Sequence, residues 1–465
     1  MHLNTDPMRH FGRTSSSATA VHLLTKSQFS KNAPDLSKAD LAWAKSTGFS
    51  GSRGQTCLVP GDNGRLAKVL FGIGSGNDFG DPMLHAKLAR TLPAGKYRLA
   101  EDDHREANPL IDQLAWAMGG YSFDRYRDRK HKTPALCGKT NADARRMAEG
   151  VFFTRDLINT PASDMGPEAL EAAFRQLAKN HAARVRVIKG DNLLKQNFPM
   201  VHAVGRASSQ APRVLDMSWG KPSHPKITLV GKGVTFDTGG LNIKPGSSMA
   251  LMKKDMGGAA NVMGLAHMIM DAKLPVRLRV IVGAVENAIS GNAFRPGDIL
   301  QTRKGMTVEI GNTDAEGRLV LGDCLALGDE QKPDLMIDMA TLTGAARVAM
   351  GPEVSPFYTH DDDFAQLLDA ASGEIHDPVW RLPLWQPYQS MLGSKVADVN
   401  HISTGGFGGS ITAALFLSRF VEHAKSWAHF DIYGWVPSEK PWAPIGGEAQ
   451  AIRALYTMLK TRTSR

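Results

Sequence analysis

Cysteine is scarce in this sequence. There are only three, Cys57, Cys137 and Cys324, scattered and odd in number. They give no disulfide framework and no CxxC zinc site, so a reducing cytoplasm is the default compartment. Cys324 falls on an apolar face and reads as core. Long apolar runs are also missing, and none approaches the ~20 residues of a membrane span. Residues 1–20 hold Ser, Thr, His and Arg but no apolar h-region, which excludes a secretory signal. Asp6 and a broken amphipathic pattern argue against a transit segment, so 1–20 reads as a flexible tail. The net charge is +9, but Lys/Arg runs and aromatic-interleaved basic patches are absent. The charge therefore reads as a solubility feature rather than a nucleic-acid surface.

At 465 residues the chain is too long for one typical core, and two domains are expected. The first spans 21–135 and alternates short strands and helices. Thr56–Val59 and Lys68–Phe71 read as strands around the turn signal Gly61-Asp62-Asn63-Gly64, and Leu84–Leu92 and Leu110–Met118 as helices. His131–Lys139, with Pro134 and Gly138, reads as a linker. The second domain spans 136–465. Its buried strands are expected at Ile227–Val230, Leu278–Ala284, Thr307–Ile310, Leu335–Met339 and His429–Ile432. Its helices are expected at Asn141–Leu157, Pro167–Ala182, Ala259–Asp271, Leu319–Leu327 and Thr412–His423. This alternation predicts an α/β class throughout, with a central mixed sheet in the larger domain flanked by helices.

Chemistry concentrates in two stretches. Asn312-Thr313-Asp314-Ala315-Glu316-Gly317-Arg318 lies between a β-branched run and an apolar-periodic run. It reads as a strand-to-helix junction, the usual ligand position in an open α/β sheet. On an extended backbone, Asp314, Glu316 and Arg318 would project to one side. The plainer reading is a helix N-terminal cap with a stray arginine. Upstream lies Val230-Gly231-Lys232-Gly233-Val234-Thr235-Phe236-Asp237-Thr238-Gly239-Gly240, followed by Ile243-Lys244-Pro245 and Lys253-Lys254-Asp255-Met256-Gly257-Gly258. Paired glycines let a backbone approach a bound ion or substrate closely. Asp237, Asp255, Asp314 and Glu316 make four carboxylates, which repel strongly when crowded. Two divalent cations would balance them, and hard oxygen donors suit Zn, Mn or Mg. A lysine in a glycine loop, such as Lys232, otherwise reads as an anion or phosphate binder.

These segments resemble the leucyl aminopeptidase family, the dinuclear cytosol aminopeptidases, in sequence, order and spacing. The resemblance is dense from Val230 to Gly344 and loose near the N-terminus. It implies that Lys232, Asp237, Asp255 and Glu316 hold one metal, and that Asp237, Asp314 and Glu316 hold the other. Lys244 and Arg318 would be the catalytic side chains. Lys244 would stabilise an oxyanion, and Arg318 would hold a bicarbonate that shuttles the proton. Met252, Asn312, Thr341, Leu342 and Gly344 would contact substrate. The implied activity is release of N-terminal, leucine-like residues from peptides by a homohexamer. Some relatives bind DNA, which keeps a nucleic-acid role open. Asn242, Thr238, Phe407 and Tyr433-Gly434-Trp435 depart from common family choices, which leaves side-chain preference undetermined.

Other candidates are weaker. A dinuclear phosphohydrolase is compatible with the carboxylates, but the site motifs lack histidine and no GxxxxGK[ST] loop occurs. Glu101–Glu106 with His104, and His360-Asp361-Asp362-Asp363, have metal-ligand residue types. A solvated loop accounts for the first, and helix N-terminal acids for the second. Met256, Met263, Met268 and Met270 read as core filling.

Overall fold

The computed structural model describes residues 6–31, 36–62, 64–75, 83–100, 108–127 and 133–463. These residues fall into two compact units. One is drawn from Leu3–Phe152 with Ser438–Ile445, the other from Phe153–Pro437 with Gly446–Arg465. The division falls inside the Ala142–Asn159 helix.

The smaller unit carries six strands: β1 (Phe11–Gly12), β2 (Thr19–Thr25), β3 (Thr56–Pro60), β4 (Leu66–Gly74), β5 (Lys96–Leu99) and β6 (Ala135–Cys137). They form one sheet in the order β1-β6-β5-β2-β4-β3. β3 alternates exposed and buried residues, as a half-covered strand should, and Cys57 and Val59 are its buried positions. The Pro109–Gly119 helix starts on the Asn108 side chain, which accepts from Ile111 N at 3.2 Å, and has Pro109 in its first turn. Its Trp116 is fully buried, and Nε1 donates to Pro134 O at 3.1 Å.

Three expectations change here. Residues 7–12 are not tail-like: Pro7–His10 form a 3-10 turn, and Phe11 and Gly12 pair in register with Leu136 and Cys137. The supposed linker therefore contains β6. Gly12 permits the pairing, since a Cβ there would lie 2.6 Å from Cys137 Sγ. The stretch Leu84–Leu92 divides into a 3-10 turn, Leu84–Lys87, and a single helical turn, Leu88–Thr91. The Glu101–Glu106 cluster with His104 lies outside the described residues.

The larger unit carries β7 (Arg184–Lys189), β8 (Arg213–Trp219), β9 (Lys226–Asp237), β10 (Arg277–Asn287), β11 (Ile299–Gln301), β12 (Thr307–Glu309), β13 (Leu335–Ala340), β14 (Ser355–Thr359), β15 (Val379–Arg381), β16 (Val399–Asn400) and β17 (Trp427–Asp431). Eight of them form a mixed sheet in the order β15-β14-β17-β13-β9-β10-β8-β7. The middle four, β17, β13, β9 and β10, are parallel. β9 is buried almost without break, as a strand covered on both faces must be. A Cβ on Gly231 would lie 2.7 Å from Ala259 of the Gly257–Asp271 helix. A Cβ on Gly283, which pairs with Lys232 and so faces the other way, would lie 2.4 Å from Val320 of the Glu316–Asp329 helix. The two site-bearing helices thus lie on opposite faces of the sheet, each drawn close by a glycine.

The helix expected over Thr412–His423 is Gly409–Ser418. Asp329 explains the early stop, since its carboxylate accepts from the amides of Glu422, His423 and Ala424 at 2.8 to 3.0 Å. No helix among the described residues is long and apolar enough to cross a membrane.

Candidate metal centre

β9 delivers the first two donors. Lys232 and Asp237 point from it into a buried crevice, 3% and 2% exposed. The β9–β10 register shifts between Val285 and Asn287, which sets Asn287 opposite Asp237. Asn287 Nδ2 donates to Asp237 Oδ1 at 2.8 Å and to Thr313 O at 3.1 Å. The chain then turns through Gly239 and Gly240, at φ 86° and 63°. A Cβ on Gly239 would sit 2.4 Å from Asn242 O, so only glycine fits this turn. Thr313 Oγ1 ties the turn down by donating to Gly239 O at 2.6 Å, and Thr313 N donates to Asn242 Oδ1 at 2.8 Å. Lys244 is thereby held beside the centre.

Asp255 arrives on the 3-10 segment Met252–Met256, which runs directly into the Gly257–Asp271 helix. Thr341, at the end of β13, fixes it: its Oγ1 donates to Asp255 Oδ1 at 2.8 Å.

The stretch from Asn312 to Arg318 is not extended, contrary to expectation. Asn312 caps a 3-10 turn, Thr313–Ala315, by accepting from Asp314 N at 2.8 Å, and Glu316 begins the following helix. The turn sends the two carboxylates to different cations. Asp314 meets Lys244, and Glu316 Oε1 lies 3.0 Å from Lys232 Nζ. The helix itself starts after Ala315 with no side-chain cap; Asn312 caps only the 3-10 turn, and Glu316, in the first helical turn, points inward to Lys232.

Asp237, Asp255 and Glu316 each offer an oxygen, and the three atoms lie within 4.8 Å of one another. Lys232 Nζ reaches Asp255 Oδ2 at 2.7 Å, and Lys244 Nζ reaches Asp237 Oδ2 at 2.9 Å. Burial pushes the Glu316 carboxyl up to about 8, reinforced by Asp237 and Asp255. Burial likewise pushes Asp314 up to about 6 and raises Asp255. Burial alone would lower Lys232, but Asp255, Glu316 and Asp237 overcome it and hold the amine above its usual value. Neither Glu316 oxygen accepts a hydrogen bond of good geometry, although both are buried. Buried carboxylate oxygens without such donors fit a divalent cation, as does the close oxygen set.

Arg318 is drawn down to about 10 by burial, and its Nη1 donates to His401 O at 2.6 Å. Thr341 is buried, its carbonyl 3.1 Å from Lys232 Nζ. Leu342 N donates to Asp431 Oδ1 at 3.2 Å. Asn312, half-buried, lies with its carbonyl 2.9 Å from His401 Nε2. Met252 is half-buried at the start of its 3-10 segment, and Gly344 is exposed at the start of the Gly344–Met350 helix. Four contributors went unpredicted. They are Asn287, Thr313, His401 and Asp431. Asn287 ends a strand that also carries Arg277, Arg279 and Glu286, so its polarity alone does not single it out. His401, lowered to about 4 by burial and then by Arg318, comes from a loop with no motif of its own.

A parallel-sheet crevice lined with buried carboxylates and lysines defines an α/β protein with a centre built for divalent cations. A family model for the catalytic domain of the cytosol aminopeptidase family matches residues 152–456. A model for the M17 aminopeptidase N-terminal domain matches 20–137. A probable cytosol aminopeptidase of Sinorhizobium medicae is 38% identical over 91% of this chain and 92% of its own. Another, from Alcanivorax borkumensis, is 36% identical over 92% and 94%. The crystal structure of the Coxiella burnetii cytosol aminopeptidase superposes with TM-score 0.93 at 42% identity, covering 98% of this chain and 99% of that one. The bottromycin maturation enzyme BotP, solved in complex with Mn, superposes with TM-score 0.85 at 31% identity, over 97% and 100%. The chain belongs to the cytosol aminopeptidase family. It is accordingly a metal-dependent aminopeptidase, with the family's smaller N-terminal and larger catalytic α/β domains.

Proposed function

We propose that the chain releases N-terminal, leucine-like residues from peptides at a dinuclear centre. One observation carries the reading: three carboxylates from separate segments converge within 4.8 Å in a buried crevice that also contains two lysines. Lys232, Asp237, Asp255 and Glu316 would hold one ion, and Asp237, Asp314 and Glu316 the other. When bound, two divalent cations supply Lewis acidity and a water of lowered pKa. Zn or Mn is the expected metal, with Mg as an option; the Mn complex of BotP supports Mn.

The chain's own residues do the rest. Asn287 and Gly239 N fix Asp237, and Thr341 fixes Asp255, so the donors are preorganised. Lys244, 13% exposed, sits at the edge of the carboxylate set, where its ammonium stabilises an oxyanion. Arg318 cannot serve as a base, because a guanidinium keeps its proton. It is assigned the binding of bicarbonate as proton carrier. Lys232 has to give up its proton to act as a donor, which dications favour. Met252, Asn312, Thr341, Leu342 and Gly344 are assigned to substrate.

The resemblance further supports a cytoplasmic homohexamer acting on peptides, with residues 21–135 as N-terminal domain and 136–465 as catalytic domain. Hydrolysis of leucine p-nitroanilide against a phosphate ester, with and without added Mn or Zn, tests the reading. Metal-stimulated release of nitroaniline with no phosphate release is the expected result. The reverse pattern would replace the peptidase with a phosphohydrolase.

A further inference from the structure

The sequence scatters its positive charge, but the fold gathers part of it. A cavity of about 330 Å³ is lined by Arg184, Arg186, Lys226, Arg277 and Arg279, with Asp216 as its one acid. Pairing across the sheet builds it. Arg184 stands opposite Ser218, Ser218 opposite Arg279, and Arg279 opposite Thr228, in one row across β7, β8, β10 and β9. Arg277 stands directly opposite Lys226. Residues two apart share a sheet face, so Arg184 joins Arg186 and Arg277 joins Arg279. Lys226 and Arg277 open their strands, whereas Asp237 and Asn287 close them at the metal centre. At ~3.3 Å per residue, Lys226 is roughly 35 Å from Asp237.

The charges in this cavity are poorly balanced. Asp216 takes Arg279 in a two-pronged pair, at 2.9 and 2.8 Å. Arg186 donates to the Gln196 side chain, and Lys226 Nζ to Gln331 O at 2.9 Å, both neutral acceptors. Asp334, which accepts from Lys226 N, pairs its other oxygen with Lys425. Arg184 and Arg277 have no ion-pair partner among the described residues. Like charges set opposite each other across strands are destabilising. A single-sign cleft also focuses the field on an incoming counter-ion. Guanidinium forks match phosphate oxygens.

We propose that this cavity binds a linear oligophosphate, either inorganic tripolyphosphate or the phosphate chain of a nucleoside triphosphate. Five cations against one carboxylate leave four positive charges, which suits a chain of several phosphates better than a monophosphate. A volume of about 330 Å³ is on the scale of a small anion rather than of a duplex.

Isothermal titration of the full chain, in low salt without added metal, is the test. The probes are sodium tripolyphosphate, ATP, inorganic phosphate and a short DNA duplex. Tripolyphosphate and ATP should saturate at one per chain, with phosphate at least tenfold weaker. ATP tighter than tripolyphosphate would identify the nucleotide as ligand, and equal affinities the phosphate chain alone. Arg184→Gln with Arg277→Gln should weaken both at least tenfold and leave peptide turnover unchanged. If the double variant misfolds, Arg184→Gln alone, at an exposed position, takes its place. Stripping of the catalytic metals by tripolyphosphate would be common to both proteins and cancels in the comparison. Equal binding by wild type and variant, absence of saturation, or preference for the duplex would overturn the proposal.

Discussion

Gly317 packs so closely on Lys232 that a Cβ there would lie 2.6 Å from Lys232 Cε and 2.9 Å from Nζ. The glycine of the signature stretch and the lysine of the upstream strand therefore constrain each other. Gly317→Ala should fold, because the atoms displaced are the far end of a side chain. Overpacking of this kind costs about 1–3 kcal/mol. The lysine would leave its place between Asp255 and Glu316, so bound metal and turnover should both fall at least tenfold. Metal analysis beside circular dichroism checks this, and full metal content in the variant would contradict it.

Lys244 and the carboxylates should separate by assay. Asp255→Ala and Glu316→Ala should lose both metal and activity. Lys244→Ala should keep its metal and lose most turnover, by the two to three orders of magnitude usual for an oxyanion donor. Retained turnover in Lys244→Ala would remove its assigned role.

Asp431 holds the loop after β13. It accepts from Leu342 N at 3.2 Å, Thr343 N at 3.0 Å, Thr343 Oγ1 at 2.6 Å and Ser410 Oγ at 2.7 Å. Asp431→Ala would leave these partly buried donors, and the buried Ser410 hydroxyl, without their acceptor, costing about 1–3 kcal/mol. A fall in the thermal midpoint with a raised KM for peptide is the expected result, since Leu342 and Gly344 flank this loop. An unchanged KM would detach the loop from substrate binding.

Much of this was legible beforehand. The carboxylates, the lysines and the alternation of strands and helices lie in contiguous motifs. The geometry of Asp314 and Glu316 was not, because a 3-10 turn and a strand end look alike over three residues. Asn287, His401 and Asp431 could not be placed from sequence because they act through contacts between segments 50 to 89 residues apart. The basic cavity was missed for the same reason: its cations are dispersed along the chain and meet only across strand pairing.

His10 gives the smaller unit an acid limit. It is 1% exposed, and burial, then Arg9, push it down from 6.5 to about 3. A lowered histidine stays neutral in the folded state while the unfolded chain takes the proton. Stability is therefore complete above pH 6.5 and falls as pH drops from 6.5 towards 3, by up to about 3 kcal/mol at pH 4. Hydrogen exchange of the residues around Trp116 at pH 7 and pH 4 should show this loss. His10→Phe should flatten the dependence, and an unchanged slope would contradict the assignment.

The most direct measurement is an anomalous-scattering map of Mn-soaked crystals, with turnover measured on the same preparation. Two peaks per chain, one touching Lys232 and Asp255 and the other touching Asp314, with Asp237 and Glu316 shared between them, are expected in active protein. A single peak, or none near these side chains in protein that still cleaves leucine p-nitroanilide, would contradict the dinuclear centre.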